Sequence, residues 1–178
     1  MEIPAGRWTV DPSHSTVSFS VKHLMISKVR GSFSDFSGEA ETSENPLDTQ
    51  ITATVDVPSI DTKDAGRDTH LLSSDFFDAE TYPKMIYTST KIEPTKDPDI
   101  FKVHGDLTIK GVTKPVTATA EFGGVMKDPY GNLKGAAEVT FVIDRTEFGL
   151  TWNAALETGG VLVGNDITVT LDLQAVKN

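Results

Sequence analysis

Four histidines, His14, His23, His70 and His104, are the side chains of this sequence best suited to moving protons or holding metals. None stands in an H-x-H or H-E-x-x-H pair. His14 and His23 are nine residues apart. On an unbroken strand an odd separation points two side chains to opposite faces, so joint metal binding is not expected. The run Asp11-Pro12-Ser13-His14-Ser15 holds the residue types of a hydrolase triad. It has no nucleophile elbow and no evident oxyanion loop, and triads are seldom built from chain neighbours. Asp11 is instead expected to cap the turn, with His14 and Ser15 satisfying its backbone. His104 is in phase with Lys102 and Asp106, hence outward, and His70 sits beside a helical stripe. His23 is in phase with Val17, Phe19 and Val21, which points it inward at the end of a strand, near the mouth of any cavity. Gly123-Gly124 and Gly159-Gly160 match no phosphate-binding loop, so no cofactor is expected. Lys28, Arg30 and Arg145 are cations that could meet an anionic head group at a cavity entrance.

These side chains must be positioned by strands. Val17, Phe19 and Val21 alternate with Thr16, Ser18, Ser20 and Lys22, which is a strand with one apolar and one wet face. The alternation restarts at Val29 and changes phase between Phe33 and Phe36, where a bulge or bend is expected. Ile51 to Val57, Lys84 to Ile92, Ile100 to Lys110, Val116 to Phe122, Ala137 to Ile143 and Ile167 to Leu173 repeat the pattern. Turn signatures stand at Asp11-Pro12-Ser13, Asn45-Pro46-Leu47-Asp48, Gly111-Val112-Thr113-Lys114 and Asp128-Pro129-Tyr130-Gly131-Asn132. One stretch departs from this pattern. Asp64 can cap a helix whose stripe is Ala65, Thr69, Leu72 and Phe76, lying across an end of the sheet. Arg145 to Gly164 has no regular period.

About eight long strands, short turns and a lone helix make a mainly β chain, an up-and-down antiparallel barrel that removes its exposed edges by closure. A two-layer sandwich is the alternative. The 178 residues suit one domain spanning residues 1–178. No apolar run is long enough for a membrane span. The net charge of −10 repels polyanions, so neither nucleic acid nor an anionic membrane surface is an expected partner.

Small residues recur in the apolar phase, at Gly38, Ala40, Ala53, Gly105, Ala118, Ala120 and Ala137. An eight-stranded barrel is either filled by side chains or holds one small ligand. Small inward residues with few buried polar candidates favour an elongated apolar cavity, suited to a lipid rather than a sugar or nucleotide. Its expected lining is Phe19, Val21, Phe33, Phe36, Ala118, Ala120, Phe122 and Phe141, with Leu72 and Phe76 from the helix, Trp152 near an end and His23 at the mouth.

Several stretches together resemble the bacterial YceI-like family. They are Trp8-Thr9-Val10-Asp11-Pro12-Ser13-His14-Ser15, the Val17 to His23 strand, Val29-Arg30-Gly31-x-Phe33, the Arg67 to Asp78 segment, Gly105 to Val116, and Phe148-Gly149-Leu150-x-Trp152-Asn153. The resemblance implies a lipocalin-like extended barrel with a helix at one end. It also implies an apolar lumen for polyisoprenoids, such as isoprenoid quinones or polyprenyl phosphates, often in a homodimer. The shared motifs are turn and packing residues, and no catalytic residue carries over. Some members bear signal peptides, but the start Met1 to Arg7 does not read as one, so a cytoplasmic location is expected. The expected function is binding, storage or transport of a polyisoprenoid or other long-chain lipid. The alternative is a hydrolase or isomerase on an apolar substrate, using His14 or His23 with Asp11 or Ser15.

Overall fold

The structure, a computed structural model, describes residues 3–178. Its eleven strand segments are β1 Gly6–Val10, β2 Thr16–His23, β3 Ser27–Phe33, β4 Phe36–Thr42, β5 Gln50–Asp56, β6 Ile60–Asp61, β7 Lys84–Pro94, β8 Ile100–Ile109, β9 Val112–Lys127, β10 Leu133–Asp144 and β11 Val163–Lys177. They form one closed antiparallel sheet. Three pairs of segments are halves of single interrupted strands. β1 and β2 run consecutively along β11, from Trp8 opposite Lys177 to His23 opposite Val163. β3 and β4 follow beside them, and β5 and β6 beside those. Eight staves result, with the first paired to the last, so this is a closed barrel and not a sandwich.

The interruptions follow from sequence. Between β1 and β2, Pro12 starts a short 3-10 turn that Asp11 caps. The break between β3 and β4 slips the phase, so Phe33 and Phe36 both face the interior, as their spacing predicts. At the β8–β9 turn, Lys110 and Gly111 have φ of 49° and 73°, the left-handed pair that a two-residue hairpin requires. In β9 the register passes from Phe122 opposite Ala137 to Gly124 opposite Ala136. Gly123 is the extra residue of this bulge, and Gly124 takes φ of 109°. The bulge explains the Gly-Gly pair: it turns both Phe122 and Val125 inward.

The helix, α1 Ala65–Leu72, is shorter than its expected stripe. Asp64 caps it as predicted, accepting from Arg67 N. Ala65 and Thr69 are exposed, and Phe76 lies beyond the helix, in a turn closed by its N–H on Ser73 O. Two turns of helix cannot carry four stripe positions. A polar clasp anchors α1 instead: Arg67 Nε donates to Thr62 Oγ1 at 2.8 Å, and Thr62 N donates to Asp68 Oδ1 at 2.9 Å. Phe76 joins Ile109, Phe148 and Leu150 in a buried cluster that closes this end of the barrel. Among the described residues no helix is long and apolar enough to cross a membrane.

Candidate functional site

Along each stave every second side chain points inward, and the space they enclose is not filled. A cavity of about 460 Å³ extends from the helix end, at Phe76 and Phe148, to the far end, at Trp8 and Thr42. Nine of the expected lining residues are in its wall: Phe19, Val21, Phe33, Phe36, Phe76, Ala118, Ala120, Phe122 and Phe141. The small residues Gly38, Ala40, Ala53 and Ala137 also line it. Gly105 faces inward but is covered. A Cβ built there would stand 2.4 Å from the Tyr87 ring, which lies on the bare backbone.

Three expected lining residues are elsewhere. Leu72 is not in the wall, and its neighbour Leu71 is. The helix is set by the Thr62 clasp, which rotates the inward face by one position from the expected stripe. Trp152 is a layer behind the wall, packed on Phe76 at 5.4 Å between ring centroids and on His70 at 4.8 Å. His23 is half-buried, pairing with Val163 beyond the last wall residue of β2, Val21. The β2–β11 register slips between Val163 and Ile167, and at this irregular end Val163 lines the cavity while His23 opposite it does not.

Trp8 and Tyr87 are the main wall residues that sequence reasoning missed. Trp8 is 4% exposed, and its Nε1–H is shared between Pro4 O and Thr42 Oγ1, both at 3.2 Å. It plugs the far end. Its phase with Val10 was the available signal. Most polar atoms of the wall are already bonded: Ser18 Oγ donates to Thr170 O at 2.9 Å, and Thr42 Oγ1 donates to Pro4 O at 2.9 Å. Tyr87 Oη is the exception. It is buried without a partner among the described residues. Burial, with a smaller push from the charge of Asp106, raises the phenol to about 12, so it stays a neutral donor at physiological pH.

Arg145 is 4% exposed in the wall. Its Nε donates to Gly164 O at 2.8 Å, and its Nη1 to Leu150 O at 2.6 Å and Trp152 O at 2.9 Å. These donors are spent on the backbone of the irregular segment 145–164 rather than offered to a head group. Burial lowers its pKa, and neighbouring Asp144 opposes that shift.

The Asp11-Ser13-His14 group lies outside the lumen, on the β1–β2 turn. Asp11 Oδ1 accepts from Ser13 N at 3.0 Å and from Ser13 Oγ at 2.6 Å, while Oδ2 meets His14 Nδ1 at 2.8 Å. The hydroxyl of Ser13 and the carboxylate both meet Nδ1, whereas a triad needs serine and carboxylate on opposite ring nitrogens. Hydrogen bonds from Ser13 and His14 hold the Asp11 carboxyl down at about 2. The cap reading of Asp11 holds. Ser15, however, serves β11, bonding Gln174 O and N.

A closed antiparallel barrel around an apolar lumen defines a class of small-molecule-binding β-barrel. Within that class, residues 8–175 match the YceI-like domain, and the chain belongs to the YceI-like family. A UPF0312 protein of Staphylococcus aureus (strain USA300) is 42% identical over 162 residues, covering 90% of this chain and 91% of its own. Among solved structures, Burkholderia cenocepacia BcnA superposes with a TM-score of 0.81 at 25% identity, over 93% of this chain and 98% of its own. The Campylobacter jejuni YCEI protein gives 0.73 at 32% identity, over 88% and 90%. A polyisoprenoid-binding domain from Saccharophagus degradans gives 0.71 at 13% identity, over 96% and 98%, a likeness of fold alone.

Proposed function

We propose that this protein binds a long-chain lipid of polyisoprenoid type in its lumen and carries or stores it without altering it. The observation that carries the reading is the barrel-length cavity with an almost wholly apolar wall. Such a wall offers nothing to a sugar or nucleotide but removes a hydrocarbon chain from water along its length. At roughly 0.8 kcal/mol per methylene-sized group, each five-carbon unit contributes on the order of 4 kcal/mol before the costs of ordering. Membership of the YceI-like family and the fold shared with a polyisoprenoid-binding domain support the isoprenoid class.

Mass spectrometry of organic extracts from natively purified protein is the direct test. A stoichiometric isoprenoid of unchanged mass after incubation is expected. A clean extract, followed by no binding of isoprenoid quinones to the delipidated protein, would remove the proposal.

Tyr87 refines the ligand. Its unpaired Oη lies covered against Gly105, and a small shift of the ring would offer its O–H to a head group with an acceptor oxygen, such as a quinone carbonyl. Tyr87→Phe should weaken binding of a quinone-headed chain about five- to tenfold, the value of one hydrogen bond of about 1 kcal/mol. Binding of an unfunctionalised polyprene should not change. Equal losses for both ligands would show that the hydroxyl does not read the head.

A further inference from the structure

We propose that the hairpin joining β2 to β3 is a docking tip for an anionic phospholipid bilayer. Leu24, Met25 and Ile26 are consecutive and exposed, at 40%, 55% and 88%. Exposed runs of three apolar residues are avoided on soluble surfaces unless they serve a purpose. Val161, on the neighbouring segment, is 38% exposed, and that segment is tied to the hairpin by Leu24 N donating to Leu162 O at 2.9 Å. Met25 rests against Gly160, the position where an added Cβ would come within 3.2 Å of its Cγ. The apolar residues therefore form one supported surface rather than a loose loop.

The backbone supplies a second observation. Leu24 and Met25 have φ of 53° and 64°, both in the left-handed region. Asn and Gly occupy such a turn with least strain, and large apolar side chains with much more. A turn needs neither of these side chains to close. Their presence at strained positions points to a use for the side chains themselves.

Charge selects the partner. Between Asp11 and Asp35 there is no acidic residue, and Lys22, Lys28 and Arg30 stand exposed around the tip. None of the three is in a salt bridge among the described residues. Asp144 and Asp166 lie near Lys22 and Lys28 in a shallow polar hollow further up the wall, and Glu157 is exposed on the neighbouring segment. The net charge of −10 opposes approach to an anionic surface as a whole. At physiological salt, however, charges beyond about 8 Å are screened, so the cations at the point of contact dominate once the tip is in place. An apolar tip collared by lysine and arginine is complementary to an anionic lipid surface and not to an aqueous polyanion, which would leave the apolar residues in water. The opposite end also exposes Met126 and Tyr130, but these are separated by Asp128 and form no run.

The position fits a lipid binder. Val21 and Val163 line the lumen directly behind the tip, so docking would bring the barrel end closed by the Phe76 and Phe148 cluster up to the bilayer. This use of the tip rests on the lipid-binding reading, but the docking itself does not require it.

Flotation with vesicles separates the two. Equimolar phosphatidylglycerol and phosphatidylcholine vesicles, free of isoprenoid, should carry several-fold more protein than pure phosphatidylcholine vesicles, and high salt should reduce the difference. The double variant Met25→Asp, Ile26→Asp should fall to background while its thermal melt and extracted lipid stay as in the parent protein. Lys28→Glu with Arg30→Glu should lose the anionic preference with the apolar tip intact. Failure of the parent protein to float, or flotation of the aspartate variant at the parent level, overturns the proposal. A halved mass of that variant in sedimentation would overturn it too, by showing that the tip is covered by a second copy of this chain. The lipid extract reports on the lumen independently of any of these results.

Discussion

Replacing Ala118 and Ala120 together with leucine should abolish lipid binding while leaving a folded barrel. Both alanines stand on the inward face of β9, facing the lumen from one stave. Each substitution adds an isobutyl group to space that a ligand chain would otherwise fill. In a solid core such overpacking costs about 1–3 kcal/mol through forced rotamers and backbone shifts. Here the new side chains enter an existing cavity of about 460 Å³, so part of that cost is offset by the apolar surface they cover. Stability is expected to change by no more than about 2 kcal/mol in either direction. Affinity should fall at least a hundredfold, because blocking the lumen part-way denies the chain several methylene contacts at about 0.8 kcal/mol each. Equilibrium binding of a fluorescent isoprenoid by the delipidated variant, beside a urea melt, measures both quantities. Unchanged affinity in a variant that melts normally would mean that the ligand lies outside the lumen.

Much of this lumen was legible before any coordinates, because period-two alternation survives burial on one side only. The strands from Val17 to Val21, Ile51 to Val55, Val116 to Phe122 and Ala137 to Ile143 each read correctly, and their inward residues line the cavity. The break between Phe33 and Phe36 was visible as a phase change. The missing parts are those where position depends on distant partners. That β1 and β2 both pair with β11 joins residues from 140 (His23 and Val163) to 169 (Trp8 and Lys177) positions apart, and no local pattern encodes it. Leu71 replaces Leu72 in the wall because Arg67 and Asp68 clasp Thr62, a polar constraint outside the apolar stripe. His23 has the right phase, but the register slip between Val163 and Ile167 gives the wall position to its partner Val163. Tyr87 was hidden because its reach over Gly105 is a cross-strand relation between β7 and β8. The segment 145–164 has no period, since its order comes from the side chains of Arg145 and Asn153 and from local turns rather than from a regular strand.

Arg145 bonds more carbonyls of this segment than Asn153 does, and Arg145→Met should be among the most damaging single substitutions in the protein. The guanidinium satisfies carbonyl oxygens of Gly164, Leu150 and Trp152, gathering the two ends of the segment onto the start of β11. Methionine keeps much of the length and apolar stem but no donor. The carbonyls would then be left without partners, at about 1–3 kcal/mol for each that water cannot reach. The total loss is expected to be at least about 3 kcal/mol, which for a chain of this size is a fall in Tm of roughly 6–12 °C. Arg145→Lys should rescue only part of it, because one ammonium cannot span the three directions held by a planar fork. The arginine has no bonded carboxylate to strand, since Asp144 Oδ1 is occupied by Thr146 N and Oγ1. The cost therefore falls on the backbone, and hydrogen exchange should locate it: amides from Leu150 to Val163 should lose protection while those of β9 and β10 keep theirs. Phe148 and Leu150 ride on this segment and form the floor of the lumen, so the same variant should release lipid faster than it unfolds. A loss below about 1 kcal/mol would mean that water reaches the carbonyls and that the cap is held by its apolar contacts instead.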